Sequence, residues 1–266
     1  MEVSMETQEF SYRERDVIEA ISKALEDFYT SVIASMDKLN ITKVMSRKNP
    51  YLYRAKAVSS AADIVDGVLS AFVSSSEETI FGNCFFEPLA IAASGGQKSI
   101  AEGIDLEIDS GTTRVAVAVK SGTSVFNADS KKRQEENFLA ANKLARQAGK
   151  VLLPIVGYSY GRKTKRRGSR PAKDWFFAEL AGQVFWERIT GDAEFYKKII
   201  RYMRDEPEKY IERFYESYNK AENRLIAEFT ANFCKTDGSI DWDELVAFNS
   251  SAVPHKARSQ QKKHNR

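Results

Sequence analysis

Three carboxylates and one lysine stand where a hard cation and a phosphodiester could meet. In GIDLEID, Asp105 and Glu107 are two residues apart on a β-rich run. They therefore project from one face, while Ile104, Leu106 and Ile108 project from the other. The next run, TTRVAVAVK, ends its apolar stretch on Lys120, and Ser110-Gly111 between the two runs reads as a hairpin turn that sets them side by side. Phosphodiester hydrolysis uses oxygen ligands for a cation such as Mg²⁺, and a further cation near the attacking water and the developing charge. Asp105, Glu107 and Lys120 supply both. Glu87, in the apolar helical stretch FFEPLAIAA just ahead of the hairpin, is a carboxylate within reach of the same cation. Plainer readings stay open beside this one. Alternating strands put such residues on a solvent face, and Glu87 serves equally as a first-turn acid of a helix restarting at Pro88.

The elements that must carry these residues follow from periodicity. Apolar residues at helical spacing predict a helix from Arg13 to Lys38, and Asn49-Pro50 predicts a loop or turn. Two further helices are expected, from Ser59 to Ser74 and from Glu78 to Ala93. The second is interrupted at Pro88 and closed at Gly95-Gly96, where glycine accepts a left-handed cap. After the hairpin come a helix from Asp129 to Gln147 and a buried strand, VLLPIVGY, from Val151 to Tyr158. Helix then buried strand implies a crossover packed on one mixed sheet. Trp175 to Leu180 is a candidate further strand. Helices are expected over Gly182 to Ile189, Ala193 to Met203 and Pro207 to Asn232, with a short one starting near Asp241. The fold class is α/β, a small mixed sheet within a predominantly helical shell. Residues 1–254 read as one domain, with a helical N-terminal region (1–76), a catalytic core (77–180) and a helical C-terminal region (181–254); residues 255–266 read as a basic tail.

Composition narrows the chemistry. Cys84 and Cys234 have no CxxC spacing and the two histidines, His255 and His264, fall near the C-terminus, which speaks against zinc and against a core catalytic histidine. With no long apolar run and a polar, acidic start, the chain is expected in the cytoplasm with reduced thiols. A net charge of +3 does not by itself indicate nucleic acid, but the basic residues cluster, at Lys131-Lys132-Arg133, at RKTKRRGSR from Arg162 to Arg170, and from His255 onward. Solvated loops and tails explain each cluster taken singly.

An Asp and a Lys on adjacent strands after an acidic helix resemble the PD-(D/E)xK nuclease superfamily. The flanking segments FGNCFFEPL, GIDLEI, VAVKSG, KKRQEENF, GQVFWERITGD and TDGSIDWDEL, in that order over residues 45–248, resemble type II restriction endonucleases that cut interrupted GGNCC-type sites. The resemblance implies Mg²⁺-dependent cleavage of double-stranded DNA to 5′-phosphate ends by a homodimer, in a restriction-modification system with a cognate DNA methyltransferase. It makes Asp105 the central metal ligand, Lys120 the residue that positions or activates water, and Glu87 the helical glutamate. Ala118 departs from the pattern, standing two residues before the lysine where a second acid belongs. Glu107 on the neighbouring strand, or Glu135 or Glu136 on the next helix, are the substitutes, and Gln134 is placed to bond the site or a phosphate, or to lie on the surface.

For DNA contacts, SGTSVFNADSKKR after Lys120 offers hydroxyls, amides and cations, with Ser121, Thr123, Asn127, Lys131, Lys132 and Arg133 as candidates. The same Asn, Asp and Ser residues would turn the chain and cap the helix. Base reading is sought first in Tyr160 to Arg170, including Arg162 and Lys163, and in Ser46 to Arg54, including Arg47 and Lys48. The alternatives are a structure-specific repair or junction nuclease and a DNA-binding protein left inactive by Ala118. A purely helical scaffold would leave the co-occurrence of Asp105, Lys120 and Glu87 without a reason.

Overall fold

A computed structural model describes residues 11–163, 175–253 and 257. Nine helices and five strands occur among them, and contacts group the chain into two units, one of residues 1–28 and 81–207, the other of residues 29–80 and 208–266. Helices α1 (Glu14–Asp37) and α4 (Ala61–Ser94) contribute residues to both units.

The first unit holds one sheet in the order β1 (Gln97–Lys98), β2 (Leu106–Ser110), β3 (Thr113–Lys120), β4 (Val151–Tyr158) and β5 (Ala178–Ala181). Strand β1 is antiparallel to β2 and β2 to β3, whereas β4 runs parallel to β3 and β5 parallel to β4. The sheet is mixed, as the hairpin followed by a helical crossover predicts. That crossover is α5 (Ala128–Gln147), whose Phe138 and Ala141 pack with Ala116, Ala118, Val156, Tyr158 and Phe177 of the sheet side into one buried cluster. The hairpin turns at Gly111, with φ of +56°, at the expected place. Helices α6 (Gln183–Thr190) and α7 (Phe195–Met203) complete the unit, burying Phe185, Trp186, Phe195 and Ile199.

The second unit holds α2 (Ile41–Met45), α3 (Pro50–Ala55), α8 (Glu208–Phe233) and α9 (Trp242–Ser250). Leu225, Phe229 and Phe233 of α8 are fully buried, and the Phe229, Phe233 and Phe248 rings follow one another at 5.3 and 5.1 Å. Arg224 donates to the carbonyls of Met36 and Leu39, and Asn249 to those of Met45 and Lys48, so side chains satisfy backbone groups left over at and just after the ends of α1 and α2.

Three expectations need correction. The stretch read as two helices, 59–74 and 78–93, is the single helix α4, which runs through the Ser-Ser-Ser-Glu-Glu stretch at 74–78 and carries Pro88 inside it. Serine and proline preferences are local, and tertiary context overrides them. The Asn49-Pro50 turn is instead the start of α3: Asn49 takes the extended conformation that a following proline imposes and caps the helix by accepting from Leu52 N–H, with Pro50 in the first turn. Finally, α2 and β1 were not anticipated, being too short to show periodicity. No helix among the described residues is long and apolar enough to cross a membrane.

Candidate active site

Strand β3 is buried from Ala116 to Val119 and emerges at Lys120, so the lysine stands where the apolar run ends. Asp105 lies one residue before β2. Its N–H donates to the Val117 carbonyl at 2.9 Å, extending the ladder and holding it opposite the end of β3. Asp105 Oδ2 then accepts from Val119 N–H at 2.6 Å and from Lys120 Nζ at 3.5 Å. The main-chain bond fixes the carboxylate, whereas the ammonium, at the edge of bonding distance, remains available to another oxygen. Glu87, from α4, lines the same cleft of about 450 Å³ together with Gly82, Asn83, Phe86, Val119, Ser121 and Val125. Gly82 lets Ser121 approach closely: a Cβ at that position would stand 2.3 Å from Ser121 Oγ, and the hydroxyl would have to rotate away.

A residue without a sequence signal completes the cleft's electrostatics. Lys98, on the two-residue strand β1, reaches Glu87 Oε1 at 2.9 Å. The hydrogen bond to Glu87, with the charges of Glu87 and Asp105, holds this ammonium above the ordinary lysine range.

The candidate substitutes for the acid absent at Ala118 are placed elsewhere. Ala118 itself is fully buried beside Phe138 and Val156 under α5. Glu107 accepts from Ser99 Oγ at 2.8 Å and pairs with Arg114 at 3.2 Å, within a hairpin network that also joins Asp109 and Lys150. Glu135 accepts from Phe176 N–H at 3.1 Å, securing the segment before β5, and Glu136 is exposed. Gln134 is buried, not superficial, and donates to the Gly103 carbonyl at 2.7 Å, which anchors the loop that carries Asp105. The carboxylates lining the cleft are thus Asp105 and Glu87.

Among the described residues no three His, Cys, Asp or Glu side chains gather as a metal cage. A cage of that kind is not what Mg²⁺ requires, since it keeps several waters and binds through one or two carboxylates plus substrate phosphate. The lining carboxylates Asp105 and Glu87 are hard oxygen ligands of the kind such a cation takes.

The candidate DNA contacts are spread over several settings. Ser121 lines the cleft and Thr123 lies against Gly161. Asn127 caps α5, accepting from Ser130 N–H at 2.8 Å while its own N–H donates to Ser130 Oγ at 2.9 Å, so the capping role foreseen for this loop is realised. Lys132 is exposed, and Arg133 pairs with Glu102 at 2.8 Å across open surface. Arg162 lines a larger, mostly apolar cavity with Ser159, Tyr160 and Trp186. Lys131 and Lys163 converge on Glu179 of β5, which no sequence pattern singled out beyond its being a lone acid in an apolar run. Arg47 and Lys48 are exposed between α2 and α3, in the second unit. The basic stretch from residue 164 to 170 and the basic residues of the tail lie outside the described residues.

The family model "Type II restriction endonuclease EcoO109I" matches residues 15–210. That span takes in every residue of the cleft and ends before the TDGSIDWDEL segment. No curated protein matches the chain.

Proposed function

Because the chain belongs to the family of the type II restriction endonuclease EcoO109I, its partner is DNA and its reaction is sequence-specific cleavage, and we propose that the Asp105–Lys120–Glu87 cleft performs that cleavage with Mg²⁺. The observation that carries this assignment is the convergence of Lys120 Nζ on Asp105 Oδ2 at 3.5 Å, at the mouth of a cleft that Glu87 also lines. Asp105 and Glu87 would hold the cation, which supplies Lewis-acid polarisation of the phosphate and a nucleophile at neutral pH. Asp105 keeps its orientation through the Val119 N–H. Lys120 orients the attacking water and offsets the charge that builds on the phosphoryl oxygens. The water attacks phosphorus opposite O3′, the P–O3′ bond breaks, and the products are a 3′-hydroxyl and a 5′-phosphate.

On this reading Glu87, not Glu107 or Glu135, takes up the function of the acid missing at Ala118. Ser121, which lines the cleft, is the first candidate for a phosphate contact, and Thr123, Lys132, Arg133, Arg162, Arg47 and Lys48 are further candidates for DNA contacts. The enzyme acts as a homodimer on a two-fold site, within a restriction-modification system whose methyltransferase protects the host. Incubating purified protein with unmethylated phage DNA, with Mg²⁺ or with EDTA, tests the assignment. Discrete Mg²⁺-dependent fragments are expected, with 5′-phosphate ends sharing one interrupted GGNCC-type sequence. DNA that is retarded in a gel but never cut would instead identify a binder that lost its chemistry with the acid at Ala118.

A further inference from the structure

Beside the cleft, one carboxylate holds two of the cations expected to meet DNA. Glu179 Oε1 and Oε2 receive Lys131 Nζ at 2.9 and 3.0 Å, and Oε1 receives Lys163 Nζ at 2.9 Å and the Tyr158 hydroxyl. Lys131 comes from the first turn of α5, and Lys163 from just beyond β4, where its ammonium also sits 4.5 Å from the centre of the Tyr158 ring. The cluster is adjacent to the chemistry: Tyr158 is the β4 partner of Lys120, Ser159 N–H donates to the Lys120 carbonyl at 2.8 Å, and Tyr160 N–H donates to that of Ser121 at 3.0 Å.

The arrangement has the charge pattern of a phosphate site that is already filled. A phosphodiester oxygen pair between two ammoniums would present the same geometry and the same single negative charge as the Glu179 carboxylate. Burial alone would raise the Glu179 carboxyl, but hydrogen bonds from Tyr158, Lys163 and Lys131 outweigh it and hold the group below the usual range, so it stays charged at neutral pH. Glu179 and the two lysines keep 21 to 33% of their side chains exposed, which leaves the lysines open to exchange with an anion from solution.

We propose that Glu179 is an internal stand-in for a DNA phosphate, keeping Lys131 and Lys163 paired in the free protein and surrendering them only to a backbone that is correctly seated in the cleft. The inference rests on the reading of the cleft as a DNA-cleaving site. Non-specific affinity comes almost entirely from lysine and arginine on phosphates. A carboxylate that occupies two of the nearest lysines lowers that affinity and leaves the sequence-specific contacts untouched.

The test is fluorescence anisotropy with a duplex lacking the recognition sequence, in EDTA, over a series of salt concentrations. Glu179→Gln keeps an acceptor for Tyr158 and removes the charge. It is expected to bind this duplex about tenfold tighter per lysine released at roughly 50 mM salt, and to steepen the log–log salt slope by about 0.9 per phosphate newly contacted. Adding Lys131→Gln to that variant should reverse some of the gain. In the wild-type background, Lys131→Gln with Lys163→Gln should leave the slope for this duplex unchanged, because those lysines are already occupied. An unchanged slope in Glu179→Gln, weaker binding by it, or a shallower slope in the lysine double variant would overturn the inference while leaving the cleavage assignment intact. A wild-type chain that neither binds nor cuts any DNA would overturn both.

Discussion

Glu87 and Glu107 are both spaced to complete the site, and their neighbours separate them. Glu107 is confined between Ser99 and Arg114 with 12% of its side chain exposed, so its negative charge already has a fixed counter-ion. Glu87 lines the cleft, and its partner Lys98 is 74% exposed, so water can replace that ammonium at little cost. Glu87→Gln should therefore raise the Mg²⁺ concentration for half-maximal cleavage by about tenfold to a hundredfold. Glu107→Gln should leave the Mg²⁺ dependence alone and cost about 1 kcal/mol of stability by weakening the pairing with Arg114, which keeps its two bonds to Asp109. Metal titrations of cleavage, paired with urea unfolding, separate the two, and the opposite pattern would return the role to Glu107. Lys120→Ala should slow cleavage by about 10² to 10⁴-fold with folding unchanged, read in single-turnover assays. Asp105, Lys120 and Glu87 were legible because each breaks a pattern: an acid on an alternating strand, a cation ending an apolar run, a carboxylate in an apolar helix. Lys98 was not, since a two-residue strand has no period to break, and the role of Glu179 depends on lysines from two other elements.

At the scale of elements, close approach and buried charge set the tolerances. Gly157 of β4 has no Cβ because one would stand 2.1 Å from the fully buried Phe185 ring of α6. Gly157→Ala should therefore displace that ring and cost about 3 kcal/mol, measured as a lower urea midpoint with the slope conserved. Asp192, just after α6, is 5% exposed and accepts from Lys198 of α7 at 2.6 Å and from Tyr12, ahead of α1, at 2.7 Å. Burial acts to raise this carboxyl, but the bonds from Lys198, Tyr12 and the Glu194 N–H prevail and hold it below the usual range. A depressed folded pKa gives stability that is complete above the unfolded value and lost as pH falls through the folded one. Asp192→Asn should accordingly destabilise by about 3 kcal/mol at neutral pH, with the deficit shrinking below the ordinary carboxylate range in thermal melts across pH. The strands and long helices could be read from periodicity because the core of each unit is apolar and polar residues mark its exposed sides. The continuity of α4 and the start of α3 could not, because both are decided by packing and capping partners that a local pattern does not register.

For the molecule as a whole, net charge is a poor guide and symmetry a better one. Forty basic against 37 acidic residues leave +3, too little to draw DNA without local clustering, and one cluster is held in check by Glu179. The cleft contains one Lys120 and one Asp105, sufficient for one phosphodiester. Cutting both strands of a two-fold sequence in one encounter therefore calls for two copies of the chain related by the same symmetry. Light scattering should accordingly give twice the 30.0 kDa chain mass at working concentration. A mixed dimer provides the sharper test. Wild-type chain co-refolded with an excess of Lys120→Ala chain should convert supercoiled plasmid mainly to the nicked form at the recognition sequence, since one cleft of the pair is inactive. Linear product formed at the wild-type rate by that mixture would mean that a single chain visits both strands in turn, and the dimer would then be unnecessary to the chemistry.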